Sequence, residues 1–403
     1  MAELTEGARE TNITAMLAGR IVAGDFPSAV YLVAERGEVR FMDALGDAVR
    51  EPVRHAATIE TIYDLASLTK PLVTGLLTAT LVERGEVELD GAVSRYLSEF
   101  ARPDKRAITV RRLLTHTSGL PAWRPLYLLA GGDPSRALEV IASQPLEQEP
   151  GARVVYSDLG FITLGLLLQR VTGSPLAALA RERIFAPLKL ARTFFNPEKA
   201  FQTSVAACES GGNAYEREMC ETQYAAPSES RSDRQPESET GPQTESERRT
   251  PRAANWRTGT IWGEVHDGNA FFLGGAAGHA GLFSTARETL TLASQFLPRA
   301  SQLLAEETCA LFRANMTEGL NEARSFAWQL AATPDSTAGP LLPPDSFGHL
   351  GFTGTSCWVD PNRERVFILL TNRTHARALP FVNINSVRRR FHTLAVEALT
   401  RGG

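Results

Sequence analysis

Several features that would mark a membrane, nucleic-acid-binding or disulfide-rich protein are missing from this 403-residue sequence. No run approaches the roughly 18 consecutive apolar residues of a membrane-spanning helix, so we expect no span. The net charge is −4, and no Lys/Arg cluster is interleaved with aromatic residues, which argues against nucleic acid as a partner. The remaining composition, 43% hydrophobic and 22% charged residues, is typical of a globular enzyme.

Cysteine is scarce, and the spacings of the four cysteines match no metal-ligand pattern. A His-Glu-x-x-His or comparable motif is also absent, so we expect no metal centre and no other cofactor. We expect free thiols in a reducing compartment, although Cys208 and Cys220 could pair if the protein were exported. Residues 1–6 are acidic and lack the basic and apolar regions of a signal peptide. The expected location is therefore cytoplasmic, or periplasmic or extracellular if a leader is missing.

Hydrophobic patterns and turn residues predict strands at both chain ends and helices between them. Residues 28–34 and 39–45, separated by Glu-Arg-Gly-Glu, predict a β-hairpin. Residues 348–359 and 365–371 predict two more strands, joined by an Asp-Pro-Asn-Arg turn. Helices are predicted at residues 8–22, 72–82, 134–145, 158–173, 287–297 and 382–399.

This order of elements predicts an α+β fold. One antiparallel sheet is built from both chain ends and flanked by helices, and a mainly helical lobe is inserted within about residues 85–290. Over residues 208–254 Ser, Glu, Arg, Pro, Thr and Gln dominate, and residues 227–252 contain no aliphatic or aromatic anchor. We interpret 208–254 as a disordered insertion, with a structured substrate lid as the alternative. A single hydrolase domain would then comprise residues 1–207 and 255–403.

The main chemical signal is the pair Ser67 and Lys70, at the start of the apolar run 72–82. Positions i and i+3 share a helix face, so the Lys70 amine should lie above the Ser67 hydroxyl. A serine needs a neighbouring base to attack a carbonyl, and a lysine kept partly neutral by burial can be that base. The helix N-terminus would favour a developing oxyanion. A capping serine beside a solvated lysine gives the same pattern, so the other motifs must decide.

Three further segments carry polar groups suited to acyl transfer. Tyr156-Ser-Asp opens a predicted helix, and a phenol beside a lysine cation can shuttle a proton. His349-Leu-Gly lies on a predicted strand, where a polar side chain can bind a substrate carboxylate or ester oxygen. Gly351 would let the substrate backbone lie against the strand edge. His116, within Leu-Thr-His-Thr-Ser-Gly-Leu, is interpreted as a buried, hydrogen-bonded histidine more than a catalytic one.

In this order the motifs resemble those of the penicillin-recognising serine hydrolases. The similarity is greatest to the class C β-lactamase-like branch, which includes DD-peptidases and esterases. Ser67-Leu-Thr-Lys matches the first motif, and Tyr156-Ser-Asp the second, written Tyr-x-Asn in many members. His349-Leu-Gly stands where many members have Lys-Thr-Gly. The resemblance covers roughly residues 15–205 and 255–398, so it leaves the insertion without a counterpart.

The resemblance implies a β-lactamase/transpeptidase-like fold and an acyl-enzyme mechanism. Ser67 would attack a carbonyl, and Lys70 and Tyr156 would move its proton to the leaving group. The oxyanion would lie between the backbone N–H groups of Ser67 and Phe352. Water would then hydrolyse the acyl-enzyme. The implied substrates are a small-molecule ester, a muropeptide or a β-lactam.

Two departures from the family pattern bear on the substrate. Asp158 replaces a neutral Asn, and could hold Lys70 charged, recognise a cationic substrate, or cap the helix. His349 replaces a lysine and so removes a permanent positive charge that suits the carboxylate of β-lactams and peptides. His279 lies in a glycine-rich Gly-His-Ala-Gly-Leu-Phe-Ser segment that also resembles penicillin-binding-protein-4B-type members. It is a further candidate for substrate contact.

We therefore predict a cofactor-free serine hydrolase acting on an ester or a peptide/amide bond, esterase or DD-peptidase-like more than β-lactamase. The alternative is a penicillin- or muropeptide-binding sensor with the same fold that acylates without turnover. Deacylation separates the two, because a sensor keeps a stable adduct on Ser67 whereas a hydrolase releases product.

Overall fold

The computed structural model describes residues 8–224 and 256–401. Within these ranges the strands are β1 (Ser28–Glu35), β2 (Glu38–Val49), β3 (His55–Ala56), β4 (Tyr63–Asp64), β5 (Phe194–Phe195), β6 (Leu282–Ser284), β7 (Gln329–Leu330), β8 (Phe347–Leu350), β9 (Ser356–Asp360) and β10 (Arg365–Thr371). The α-helices are α1 (Thr11–Ala23), α2 (Leu76–Glu83), α3 (Val110–Leu114), α4 (Leu126–Leu129), α5 (Ala137–Ser143), α6 (Asp158–Thr172), α7 (Leu176–Ala180), α8 (Ala214–Tyr224), α9 (Gly268–Phe272), α10 (Ala286–Ser294), α11 (Glu306–Ala310) and α12 (Asn385–Arg401).

The main sheet joins the two ends of the chain. Its strand order is β3-β2-β1-β10-β9-β8-β7, and every pair is antiparallel. At its centre β1 pairs with β10, from Ala29 opposite Thr371 to Glu35 opposite Arg365. A second sheet has the order β4-β6-β5. The predicted α+β architecture, with one antiparallel sheet built from both chain ends, is confirmed.

The hairpin between β1 and β2 turns on two residues that both have positive φ, Arg36 at 54° and Gly37 at 80°. This is the sign pattern of a two-residue type I′ turn, whose twist matches that of the flanking strands. The hairpin predicted from the alternating sequence is confirmed, and it fixes the register of β1 in the sheet centre.

Alternate residues of β1 face two different helical layers, as the two-residue period of a strand requires. Val30 and Leu32 pack with the apolar residues of α2 and the inserted lobe. Tyr31 and Val33 pack on the other face with α1 and α12, where Phe391 is fully buried. Because both faces of β1 are covered, its sequence is almost continuously apolar.

The glycine-rich segment around Gly278 packs closely against α6. A Cβ on Gly278 would lie 2.0 Å from the Phe161 carbonyl oxygen, and one on Gly165 would lie 2.9 Å from the Gly278 Cα. Glycine is therefore required on both sides of this contact. In the part of the chain described here, no single helix is long and apolar enough to cross a membrane. One bent pair, Asp158–Thr172 with Leu176–Phe185, passes by length and composition.

The predicted strand 348–359 is in fact two strands, β8 and β9, which pair with each other. The chain reverses between them: the Gly351 N–H donates to the Thr355 carbonyl at 2.8 Å, and Gly354 has φ +110°. Sequence periodicity failed here because Gly351 and Gly354 make a tight turn inside an otherwise strand-like run.

The predicted disordered insertion begins later than residue 208. Cys208 is buried, and α8 is a regular helix that buries Glu216 and Cys220. Cys208 and Cys220 are both free thiols. The remainder of the predicted insertion, 225–254, lies outside the described residues.

Candidate active site

Ser67 lies in a 3₁₀ turn, Ala66–Leu68, directly after β4. Ala66 has φ +48°, in the left-handed region that non-glycine residues seldom occupy and that is often found at functional sites. The turn is held by Asp64, whose Oδ1 accepts the Ala66 N–H at 2.8 Å, and by Thr69, whose hydroxyl donates to the Ala66 carbonyl at 2.6 Å. The strained turn presents Ser67 at the wall of a pocket of about 500 Å³.

Lys70 is fully buried next to Ser67. It begins a π-helical turn, Lys70–Gly75, that continues into α2. Its Nζ donates to Ser67 Oγ at 3.0 Å and to the His279 carbonyl at 3.1 Å. The three-residue spacing thus brings amine and hydroxyl into hydrogen-bond contact, the geometry that a serine nucleophile and its base require.

Tyr156 and Asp158 approach the same amine from the start of α6. Asp158 Oδ1 is 2.7 Å from Lys70 Nζ, and Nζ lies 4.8 Å from the centroid of the Tyr156 ring. The hydroxyl that caps α6 belongs to Ser157, which accepts the Gly160 N–H at 3.1 Å. The capping interpretation of Asp158 is therefore wrong, and its carboxylate instead pairs with Lys70.

The protonation states of Lys70 and Tyr156 are set by burial and by their neighbours. Burial lowers the pKa of Lys70, but the Asp158 carboxylate, together with Tyr156, outweighs burial and leaves that pKa raised. Burial raises the pKa of Tyr156, and its contacts with Lys70 and Ser67 oppose the rise only in part. The resting site therefore holds an ammonium and a neutral phenol. Of the roles left open for Asp158, the structure therefore favours the one in which it holds Lys70 charged, and a Lys70 kept partly neutral by burial is not seen.

The turn between β8 and β9 is tied to the nucleophile turn. The Thr353 hydroxyl donates to the Asp64 carbonyl at 2.7 Å, and the Thr355 hydroxyl donates to the Leu65 carbonyl at 3.0 Å. Phe352, within this turn, lines the pocket together with Ser67. The two backbone segments expected to supply the oxyanion donors are therefore fixed relative to each other.

His349 lines the pocket in a defined tautomer. Its Nδ1–H donates to the Leu350 carbonyl at 2.9 Å, whereas its Nε2 is buried and has no partner among the residues that the structure describes. Burial, with the charges of Lys70 and Arg324, lowers the pKa of His349 well below its ordinary value. The side chain is therefore neutral, with a lone pair on Nε2. It can accept a hydrogen bond from a substrate N–H or O–H, but it supplies no positive charge.

The structure does not place the His279 side chain in the pocket. The side chain is buried and its Nε2 lies 2.8 Å from Asp267 Oδ1. Only its carbonyl reaches the site, where it accepts from Lys70. The predicted substrate contact at His279 is not seen, since the loop turns its ring away from the cleft to pair with Asp267. Gly351 does line the pocket, as expected.

Several pocket residues escaped sequence reasoning because they come from distant, unrelated segments. They are Trp123, Tyr215, Glu216, Met219, Arg324, Arg373, Asn385 and Arg388. Arg324 and Arg373 are isolated in sequence, whereas Arg388 begins the basic triplet 388–390, and nothing in that triplet distinguishes the buried Arg388 from the exposed Arg390. The i, i+4 spacing of Tyr215 and Met219 was the one available signal that residues 208–224 include a helix with an anchoring face.

Two arginines donate hydrogen bonds to the turn between β8 and β9. We call it the oxyanion turn, because it is expected to supply one oxyanion donor. Arg388 donates to the carbonyls of Gly351 at 2.7 Å and Thr355 at 2.9 Å, while its buried Nε has no partner within residues 8–224 and 256–401. Arg373 donates to the Phe352 carbonyl at 2.6 Å. Burial and the neighbouring Arg373 charge lower the pKa of Arg388 to about 9, so it is still a cation at neutral pH. This end of the pocket is positively charged.

Helix α8 closes another side of the pocket and is anchored by Glu216. The Glu216 carboxylate accepts the Gly268 N–H at 2.7 Å and the Tyr127 hydroxyl at 3.1 Å. A Cβ on Gly268 would lie 2.0 Å from Glu216 Oε2, so only glycine permits this contact. Burial and the nearby Asp267 charge raise the pKa of Glu216 to about 7.

We expect Glu216→Gln to become more stable relative to wild type as pH rises from 5 to 8. The folded pKa of Glu216 lies above its unfolded value, so its proton stabilises the fold fully below about pH 4.5, and that contribution is lost as pH rises through about 7. Glutamine imitates the protonated acid at every pH. The measurement is the difference in Tm between variant and wild type at each pH. Glu218→Gln, exposed on the same helix, is the control. A Tm difference that does not vary with pH would contradict the prediction.

The fold and the Ser-Lys-Tyr site together define a serine hydrolase of the β-lactamase type. The family described as Beta-lactamase matches residues 10–385, and the chain belongs to this family. A protein of Escherichia coli (strain K12) named "Putative D-alanyl-D-alanine carboxypeptidase" is 31% identical over 378 residues, which cover 87% of this chain and 79% of that protein. A Salmonella typhimurium protein of the same name is 30% identical over 389 residues, covering 89% and 82%.

Solved structures share the fold at lower identity. A penicillin-binding protein homologue from Caulobacter crescentus has a TM-score of 0.67 at 22% identity and covers 97% of this chain and 98% of its own. EstCE1, described as a hydrolase with promiscuous acyltransferase activity, gives 0.67 at 22%, covering 94% and 97%. A class C β-lactamase from Rhodobacter sphaeroides gives 0.66 at 18%, covering 96% and 100%. These likenesses establish the architecture.

Proposed function

We propose that this protein hydrolyses a peptide or ester bond next to a carboxylate through an acyl-enzyme on Ser67, in the manner of a D-alanyl-D-alanine carboxypeptidase. The observation that carries the proposal is the 3.0 Å contact between Lys70 Nζ and Ser67 Oγ at the wall of a pocket that also contains Arg373 and Arg388. The nucleophile and a cationic recognition surface share one cavity.

The proposed reaction starts from the fraction of molecules in which Lys70 has released its proton to solvent. Ser67 Oγ then attacks the substrate carbonyl carbon while Lys70 takes the Ser67 proton, and the oxyanion is stabilised by the backbone N–H groups of Ser67 and Phe352. As the bond to the leaving nitrogen or oxygen breaks, the neutral Tyr156 phenol donates a proton to it. Water then attacks the acyl ester: the Tyr156 phenolate takes a proton from the water, and Lys70 returns its proton to Ser67 Oγ as the ester bond breaks, which releases the acid and restores the site.

The positive end of the pocket supports a substrate carboxylate. Arg373 and Arg388 line this end, and Arg388 Nη1 donates at 2.9 Å to Oδ1 of the exposed Asn385, which lies one helical turn before it on α12. A guanidinium binds a carboxylate through directional, charge-assisted hydrogen bonds. The names of the curated relatives favour a peptide ending in D-alanine over a β-lactam as the carrier of that carboxylate.

The second candidate is an esterase, and the neutral His349 favours it. A site that offers an acceptor on His349 in place of a lysine cation has less need of a charged substrate. The fold shared with EstCE1 is consistent with this candidate. A non-turnover sensor is the remaining alternative, and it differs from both by a lasting adduct on Ser67.

The proposal is tested by comparing a peptide ending in D-Ala-D-Ala with the same peptide amidated at its C-terminus. We expect wild type to cleave the free acid at least roughly tenfold faster, since a charge-assisted contact is worth about 1.5–3 kcal/mol. Arg388→Met should reduce this acid-to-amide ratio, whereas Arg390→Met, exposed on the same helix, should not. We measure the ratio of the two cleavage rates because Arg388 also hydrogen-bonds to the oxyanion turn, so its loss slows cleavage of both peptides.

Other outcomes distinguish the alternatives. Cleavage of a chromogenic short-chain ester with no cleavage of either peptide would replace the peptidase proposal by the esterase. A persistent mass increase on Ser67 after incubation with a penicillin, without product from ester or peptide, would identify a sensor.

A further inference from the structure

His116 contacts the chain on both sides of Tyr156. Its carbonyl accepts the Val155 N–H at 2.9 Å, and its Nδ1 accepts the Ser157 N–H at 3.0 Å. Its ring lies against the Tyr156 ring, with centroids 4.5 Å apart, and against the Phe161 ring at 5.0 Å. The residues before and after the phenol are thus bonded to one side chain and its own backbone.

The backbone conformation of His116 is unusual and allows this double contact. Its φ is +59°, a left-handed value that β-carbon sterics disfavour in most residues and that Asn, Asp and His tolerate best. The residue is buried, at 1% exposure. Because the carbonyl and the ring must both face the 155–157 segment, a residue in an ordinary helical conformation here could not make both bonds.

The chemical state of His116 is fixed by its surroundings. Nδ1 accepts a backbone proton, so the imidazole proton is on Nε2. Burial, with the charges of Arg324 and Lys70, lowers the pKa of His116 well below its ordinary value. The ring is therefore neutral at physiological pH and remains an acceptor towards Ser157. A protonated ring would lose this bond.

Tyr156 needs such support because it lies in a segment without regular structure. Residues 153–157 form neither helix nor strand, and α6 begins only at Asp158. Proton transfer to a leaving group depends on placing the phenol within a fraction of an ångström, and a loop residue gains such precision only from contacts outside the loop.

We propose that His116 is the positioning residue for Tyr156, holding the phenol at Ser67 and Lys70 through its carbonyl, its Nδ1 and its ring. The inference deepens the proposed function, on which it rests, and gives a role to the Leu-Thr-His-Thr-Ser-Gly-Leu segment. His116 acts through Tyr156 and has no contact with the substrate pocket of its own.

The experiment uses His116→Ala and His116→Asn in the full chain. Asparagine retains a side-chain oxygen that can accept the Ser157 N–H and tolerates positive φ, but it has no ring; alanine lacks both. With a chromogenic ester we expect kcat of the alanine variant to fall about tenfold while its KM changes less than about twofold. The kcat of the asparagine variant should lie between those of the alanine variant and wild type. The rate of Ser67 labelling by a fluorophosphonate should follow kcat.

His392→Asn, which alters an equally buried histidine of α12, is the control and should retain kcat.

The proposed function and the positioning role of His116 can be disproved independently. If wild type is not labelled at Ser67 and cleaves no ester, the proposed function fails, whatever the His116 variants do. If wild type is active and kcat of His116→Ala is within twofold of it, the positioning role is wrong. Should the alanine variant not fold, the asparagine variant decides: a kcat reduced at least threefold with a Tm near that of wild type supports the role, and an unchanged kcat overturns it.

Discussion

Ser67→Ala should abolish turnover of ester, peptide and β-lactam substrates alike, with a loss of at least about 10⁴-fold, the scale seen when a serine hydrolase loses its nucleophile. The reason is geometric: Ser67 Oγ is the hydroxyl that Lys70 Nζ contacts at 3.0 Å. Ser67 is only half-buried, so removing its hydroxyl should change Tm by little. The measurement is kcat/KM with a chromogenic ester, together with the intact mass after incubation with a penicillin.

Ser143→Ala, an exposed serine of α5, is the control and should match wild type in both measurements. Wild type should gain the mass of the opened penicillin, at least transiently, and Ser67→Ala should not. An alanine variant that keeps a rate near wild type would show that another group attacks the carbonyl. The acyl-enzyme mechanism would then have to be abandoned.

Asp158→Asn should move the pH dependence of kcat/KM to lower pH by about one to two units. The Asp158 carboxylate, 2.7 Å from Lys70 Nζ, is the main reason that the pKa of Lys70 is raised despite burial. Without the carboxylate, burial remains and the pKa of Lys70 falls. Because Lys70 must be neutral to accept the Ser67 proton, the limb on which the rate rises with pH shifts down. On that limb the rate at fixed pH should increase roughly ten- to hundredfold, since one pKa unit is a factor of ten.

Asp104→Asn is the matched control, because Asp104 also pairs with a buried lysine, Lys105, which takes no part in the pocket. It should leave the pH profile unchanged. An unchanged profile in Asp158→Asn would contradict an electrostatic role for Asp158. A loss of activity at every pH would also contradict the prediction, and would show that the carboxylate itself moves a proton or binds the substrate.

Local pattern accounts for much of the architecture and part of the site. The β1–β2 hairpin, α6 with its glycine C-cap at Gly173, and the Ser67–Lys70 contact all follow from short-range rules of turn chemistry and helical spacing. The same rules misplaced the turn between β8 and β9, because a five-residue reversal inside an apolar run looks like continuous strand.

Other properties of the site depend on partners that sequence spacing does not reveal. Lys70 is charged because Asp158, 88 positions away, lies 2.7 Å from it, and His349 is neutral because burial and two distant cations surround it. The polar composition of residues 208–224 predicts disorder, yet α8 is held in place by Glu216, whose carboxylate accepts the Gly268 N–H.

The sequence by itself determined the class of chemistry, because the Ser67–Lys70 spacing occurs together with the Tyr156 and His349 motifs in one order along the chain. Only the tertiary structure decided the protonation of Lys70, the tautomer of His349, the cationic end formed by Arg373 and Arg388, and the support of Tyr156 by His116. The physical reason is the separation along the chain over which each effect acts. Helical spacing acts over one turn of chain, whereas charge, burial and hydrogen-bond direction depend on which distant segments the fold brings within a few ångströms.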